Sequence, residues 1–172
     1  MPEHFGGCVI TGDVLEGTTL LKPNQTFDLV VSLSALDWNE RIRENVRAAW
    51  KYVSGGGSLL MTMRLHPHIC LESISDSYQS TTPGLGGGSE RAPYIIISVP
   101  EAVHFAKSLG ATQVDVFGYW GKPSVTARTS VKECIFAAAV LRKGLGDDIN
   151  TEFVVHSPTS LAEQVKSIQT KH

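Results

Sequence analysis

Apolar and polar positions follow two periods along this chain, and between residues 27 and 65 they define one complete unit. Residues 27–33, FDLVVSL, are nearly continuous apolar apart from Asp28 and Ser32, the pattern of a strand buried on both faces. Over residues 39–54, Ile42, Val46, Ala49, Trp50 and Val53 recur at helical spacing as one apolar stripe. Asp37 and Glu40 have capping-box spacing at the start of that helix, and Gly55 suits the left-handed position at its end. Residues 58–65 read as a second strand. Strand, capped helix, glycine turn and strand make a βαβ unit, which sets the class as α/β with a parallel core.

The flanks extend this pattern. Residues 7–14, GCVITGDV, are a short apolar run ending at a polar turn, with Gly12 and Asp13 at the C-terminal edge of a strand. Residues 66–93 have no clear period and hold the turn-rich run TTPGLGGGSERAP, expected as the most mobile part of the chain: a lid, a binding loop or a surface insertion. Order resumes with a strand at 94–97 and a helix that Ser98 and Glu101 cap, with Pro100 in its first turn and Gly110 after its end. Residues 112–119 and 133–142 read as an antiparallel strand pair. A short strand at 153–155 and a helix with Leu161, Val165 and Ile168 in register complete the chain. The domain reading is an α/β domain over 1–146 and a C-terminal extension with a terminal helix over 147–172.

Bulk properties remove several classes. A formal net charge of −2 gives no reason to expect nucleic acid or an anionic membrane as partner. No apolar run approaches the ~20 residues of a membrane span, and the N-terminus lacks the features of a secretory signal. Cys8, Cys70 and Cys134 are odd in number and widely spaced, neither a disulfide framework nor a zinc pattern, so a cytoplasmic protein is expected. His66, His68 and Cys70 alternate around a proline in HPHIC; the spacing fits no zinc finger, and the favoured reading is a turn rather than a metal site.

With Gly12-Asp13, then FDLVVS at 27–32, then GGSLL at 56–60, followed by a helix and a final antiparallel pair, residues 7–143 resemble the second half of a class I S-adenosylmethionine-dependent methyltransferase. The resemblance implies a Rossmann-like, mainly parallel sheet whose antiparallel last strand inserts between its two predecessors. It implies a small-molecule methyl acceptor and S-adenosylmethionine as cofactor. Asp13 matches the acidic residue that accepts a hydrogen bond from the adenine amino group, with Val14 beside it, although a turn aspartate after a strand is an equal reading. Ser32, Leu33 and Trp38 match positions lining the methyl-donor cleft, and Trp38 equally suits a hydrophobic staple before the helix. At strand ends on the ligand-binding edge, Arg64 and His66 are candidates to bind an anionic acceptor or carry a proton, and Tyr119 and Trp120 to wall its pocket.

Two strands of that family, one ending in a glycine-rich turn and one in a ribose-holding acid, have no counterpart before residue 7. The fold expected is therefore a sheet lacking the first two strands. S-adenosylmethionine binding by the isolated chain is expected to be weak or absent, and an oligomer or a partner chain is expected to cover the open sheet edge. Two functions remain: part of a small-molecule methyltransferase, or a non-catalytic scaffold for protein interaction. Methyl transfer needs mainly proximity and in-line geometry, so the lack of an evident acid–base pair does not separate them.

Overall fold

The computed structural model describes residues 15, 24–80, 90–146 and 150–170. The candidate strand at 7–14, with Asp13 and Val14, lies outside the described residues. Among the described residues the main sheet has six strands. β1 (Phe27–Ser32) pairs in parallel with β2 (Val53–His66), which pairs antiparallel with β8 (Cys134–Lys143). Beyond β8 lie β6 (Ala111–Gly121), antiparallel to it, and β9 (Glu152–Ser157), parallel to β6. β5 (Ile97–Ser98) pairs in parallel with the end of β2. The reversed β8 is thus inserted between β2 and β6, as expected. All the other strands run one way, so the sheet is mainly parallel with one antiparallel strand.

Helices α1 (Ile42–Lys51), α2 (Val99–Ser108) and α3 (Thr159–Gln169) contribute to one hydrophobic core on one face of this sheet. Ile42, Val46, Ala49 and Trp50 bury the predicted stripe of α1 against Leu59, Met61 and Leu65 of β2. Each fully buried side chain of this size stabilises by roughly 1.5–3 kcal/mol. Trp50 Nε1 donates to the Leu109 carbonyl (2.8 Å), joining α1 to the end of α2, and Lys143 Nζ donates to the Val53 carbonyl (2.8 Å) just past the end of α1. The start of α2 forms as read: Ser98 Oγ accepts from the Glu101 N–H, and Gly110 takes φ +71° after its last turn. The tail continues the same sheet and core, through β9 and through Leu161 and Val165 of α3.

Four expectations are corrected. The first concerns β1, which is not buried on both faces: Leu29 is 56% and Val31 51% exposed. Secondly, the Asp37–Glu40 capping box does not form. Asp37 sits in a 3-10 turn (Leu36–Trp38) and is buried, Glu40 Oε1 instead accepts from the Ile74 N–H (2.6 Å), and α1 begins only at Ile42. Thirdly, Gly55 does not end α1. Val53 already pairs with Phe27 and Ser58 with Leu29, so residues 54–57 bulge out of register. The left-handed residue is Gly56 (φ +78°), while a Cβ on Gly57 would lie 2.9 Å from the Asp28 carbonyl oxygen. Lastly, the stretch without period carries strands at its described ends, while residues 81–89, which hold most of its glycine-rich run, lie outside the described residues. β3 (Tyr78–Ser80) pairs with β4 (Arg91–Pro93) and β7 (Ala127–Arg128) in a small antiparallel sheet. Leu71 bridges Ile96, and Arg43 of α1 holds Glu72 at 2.6 Å.

Candidate functional site

Strand alternation divides the main sheet into a helix-covered face and an opposite one. On the opposite face, Thr62 and Arg64 of β2, Phe136 and Ala138 of β8, and Phe117 and Tyr119 of β6 stand in register: Thr62 faces Ala138, which faces Phe117, and Arg64 faces Phe136, which faces Tyr119. Together with Ser34, Asp37 and Trp38 after β1, they line a cavity of about 590 Å³ at the C-terminal ends of β1, β2 and β6. That is the edge where parallel α/β sheets place ligands, because loops leaving the strands diverge there.

The wall below β1 is held by a buried ion pair. Arg64 is 5% exposed, its Nη2 lies 3.2 Å from Asp37 Oδ2, and its Nη1 donates to the Asp37 (3.1 Å) and Ile95 (3.3 Å) carbonyls. The Trp38 ring lies 4.3 Å and the Tyr94 ring 3.9 Å from its guanidinium carbon, and those two rings meet edge-on. Asp37 Oδ1 is buried without a hydrogen-bond partner. Burial raises the Asp37 carboxyl above its ordinary range against the opposing charge of Arg64. Ser34 holds the loop above at φ +50°, and its N–H donates to Thr62 Oγ1 at 2.7 Å.

The opposite wall is aromatic. Tyr119 stacks on Phe136 with ring centroids 5.5 Å apart at 19°, and Phe117 stacks on His156 at 4.0 Å and 2°. Tyr119 remains 65% and Phe117 49% exposed.

The sequence candidates separate in space. Trp38, Arg64 and Tyr119 line this cavity. Ser32 and Leu33 end β1 beside it, Leu33 being 54% exposed. His66 and Trp120 line a second concavity, of about 920 Å³, with Lys122, Lys132 and Glu133. There His66 is a turn cap: its Nδ1 accepts from the His68 (3.1 Å) and Ile69 (2.9 Å) N–H groups. Burial, and to a lesser extent the neighbouring His68, lower its pKa. Trp120 Nε1 donates to Ser160 Oγ of α3 at 3.2 Å. Among the described residues no cluster of histidine, cysteine or carboxylate groups is arranged to hold a metal ion. Phe117, Phe136, Ala138 and Thr62 were missed by sequence reasoning, although their alternation with Val116, Ile135, Ala137 and Met61 marked them as the other face of the same strands, whereas Asp37, in a 3-10 turn, carried no such signal.

Ser32, Leu33 and Trp38 flank the C-terminal end of β1, and Trp38 is engaged with Arg64 and Tyr94.

No family model matches the chain, and no curated relative matches it. Among solved structures it is similar to the DhpI–SAH complex (14% identity, TM-score 0.45, covering 78% of this chain and 54% of that one). It is also similar to the cyclase SpnF (14%, 0.41, covering 81% and 56%). A third is an S-adenosylmethionine-dependent methyltransferase from Clostridium acetobutylicum ATCC 824 (11%, 0.41, covering 78% and 64%). The chain spans between 54% and 64% of the length of these structures. The strand order itself, with a reversed strand between β2 and β6, defines the class: a Rossmann-like α/β sheet.

Proposed function

We propose that this chain forms the acceptor-side part of an S-adenosylmethionine-dependent methyltransferase acting on a small molecule. The observation that carries the reading is the cavity of about 590 Å³ at the C-terminal ends of β1, β2 and β6, inside the usual range for small-molecule sites. A bound S-adenosylmethionine would supply an electrophilic methyl group. The chain's own residues would hold the acceptor against the aromatic wall, with Ser32 and Leu33 on the donor side. Binding of S-adenosylmethionine by the isolated chain is expected to be weak.

The test is a titration with S-adenosylmethionine and S-adenosylhomocysteine followed by amide chemical shifts. Binding near ~1 mM (about −4 kcal/mol) with shifts at Ser32 and Leu33, weakened about 1–3 kcal/mol by Asp13→Ala, would support the reading. Shifts confined to other surfaces, or binding that Asp13→Ala leaves unchanged with the fold intact, would overturn it. A second reading, an interaction scaffold, is favoured by β1: Leu29, Val31 and Leu33 are exposed, and among the described residues β1 pairs only with β2. A cytoplasmic location fits both readings.

A further inference from the structure

We infer that the cavity between β1 and β6 selects a flat, uncharged aromatic molecule, not the anionic acceptor that Arg64 brings to mind. The inference concerns what the cavity binds; it rests on the methyltransferase reading only in calling that molecule an acceptor. Three observations lead to it.

The first is charge. Arg64 and Asp37 are the charged residues lining the cavity, and they are committed to each other. Two carbonyls and a carboxylate take up Arg64 donors, and rings lie close to its guanidinium carbon. A ligand carboxylate or phosphate entering here would lose its hydration without gaining a free cation, which is unfavourable.

The second is shape. Phe117 and Tyr119 lie two residues apart on one strand and so project from the same face, their backbone positions about 6.7 Å apart. Both rings stay about half exposed or more, so each offers a flat apolar surface on which a planar ligand can lie. Each ring is fixed by a partner on a different neighbouring strand, His156 on β9 for Phe117 and Phe136 on β8 for Tyr119. Beside Phe117 the floor is Ala138, whose short side chain leaves the space open between Phe117 and Thr62.

The third is polarity. Ser34, Thr62, Ser157 and Tyr119 bring hydroxyl groups to the rim. The Ser157 hydroxyl already donates to the Gly118 carbonyl, and the Thr62 oxygen accepts from Ser34 N–H. Neutral hydroxyls suit a phenol or an amide edge, and they do not neutralise a charge.

The test uses the whole chain and calorimetry with three probes: 2-naphthol, 2-naphthoate, and the saturated, non-planar 2-decalol. The expected order is 2-naphthol tightest, with the other two at least about tenfold weaker. Tyr119→Ala, at a site 65% exposed and therefore tolerant, should weaken 2-naphthol about fivefold or more. Ala138→Leu should fill the floor and abolish binding with an unchanged circular dichroism spectrum; should that variant fail to fold, Tyr119→Ala alone decides. Equal or tighter binding of 2-naphthoate, equal binding of 2-decalol, no binding of 2-naphthol, or indifference to Tyr119→Ala would each overturn the inference. None of these titrations contains S-adenosylmethionine. Binding of 2-naphthol in the expected order, with no response to the methyl donor, would uphold this site and defeat the methyltransferase reading alone.

Discussion

The two faces of the main sheet are made by the same strands, and they differ in almost everything else. Leu59 of β2 is fully buried under the helices, while its neighbour Leu60 points to the other face and is only half-buried. Ile135 is fully buried, whereas Phe136 next to it walls a cavity. The covered face is aliphatic and closed by three helices. The other carries aromatic rings, hydroxyls and the groups Gln113, Asp115 and Arg142, with Arg142 Nε and His156 Nε2 each 3.6 Å from Asp115. One face closes the hydrophobic core and the other carries the open cavity.

The largest effect should come from the one point where the second face carries buried charge. Arg64→Leu leaves the Asp37 carboxyl buried without its partner, and should destabilise by about 3–5 kcal/mol in urea unfolding at pH 7. The sign with pH follows from the raised Asp37 pKa. A carboxyl whose folded pKa lies above its unfolded value of 3.8 loses stability as pH rises through that window. Removing Arg64 widens the window, so the loss should be smaller near pH 4 than at pH 7. A cost below about 1 kcal/mol at pH 7 would mean that the pair does not organise this wall.

Leu59→Ala should cost about 2–5 kcal/mol, the range for emptying a packed core site, and Leu60→Ala clearly less. Equal costs would erase the distinction between the faces.

A smaller effect is expected at His66. Its Nδ1 accepts two backbone N–H groups, which requires that nitrogen to be unprotonated. With its folded pKa lowered below 6.5, its contribution is complete above that pH and declines as pH falls beneath it. The amide signals of His68 and Ile69 should shift together as the pH is lowered through that range in the wild type. If they titrate only above pH 6.5, the cap is wrong.

The smallest effect is Val31→Ala, expected within about 0.5 kcal/mol because the side chain is half exposed. A loss of 1 kcal/mol or more that depends on protein concentration would show that a second chain covers the edge at β1 in solution, which would favour the scaffold reading.

Much of this was legible beforehand. The stripe of Ile42, Val46, Ala49 and Trp50, the Ser98–Glu101 cap, the glycine after α2 and the alternation in β6 and β8 are local, because they depend on residues within a turn or a strand of one another. The insertion of β8 between β2 and β6 followed from the resemblance carried by Gly12-Asp13, FDLVVS, GGSLL and the order of elements after them. What local pattern could not carry was distance and cover. Asp37 was read as a helix cap because its spacing to Glu40 allows it; only the fold brings Arg64 to it across 27 residues, and a buried guanidinium outcompetes a solvent-facing cap for its carboxylate. Arg64 and His66 looked like one site on alternate residues, and they line two different cavities because the chain turns at His66 as β2 ends. The apolar run of β1 reported a strand but not how many of its faces are buried. Hydrophobicity along a sequence records the preference of a side chain to leave water, while tertiary structure alone decides whether another element is there to receive it.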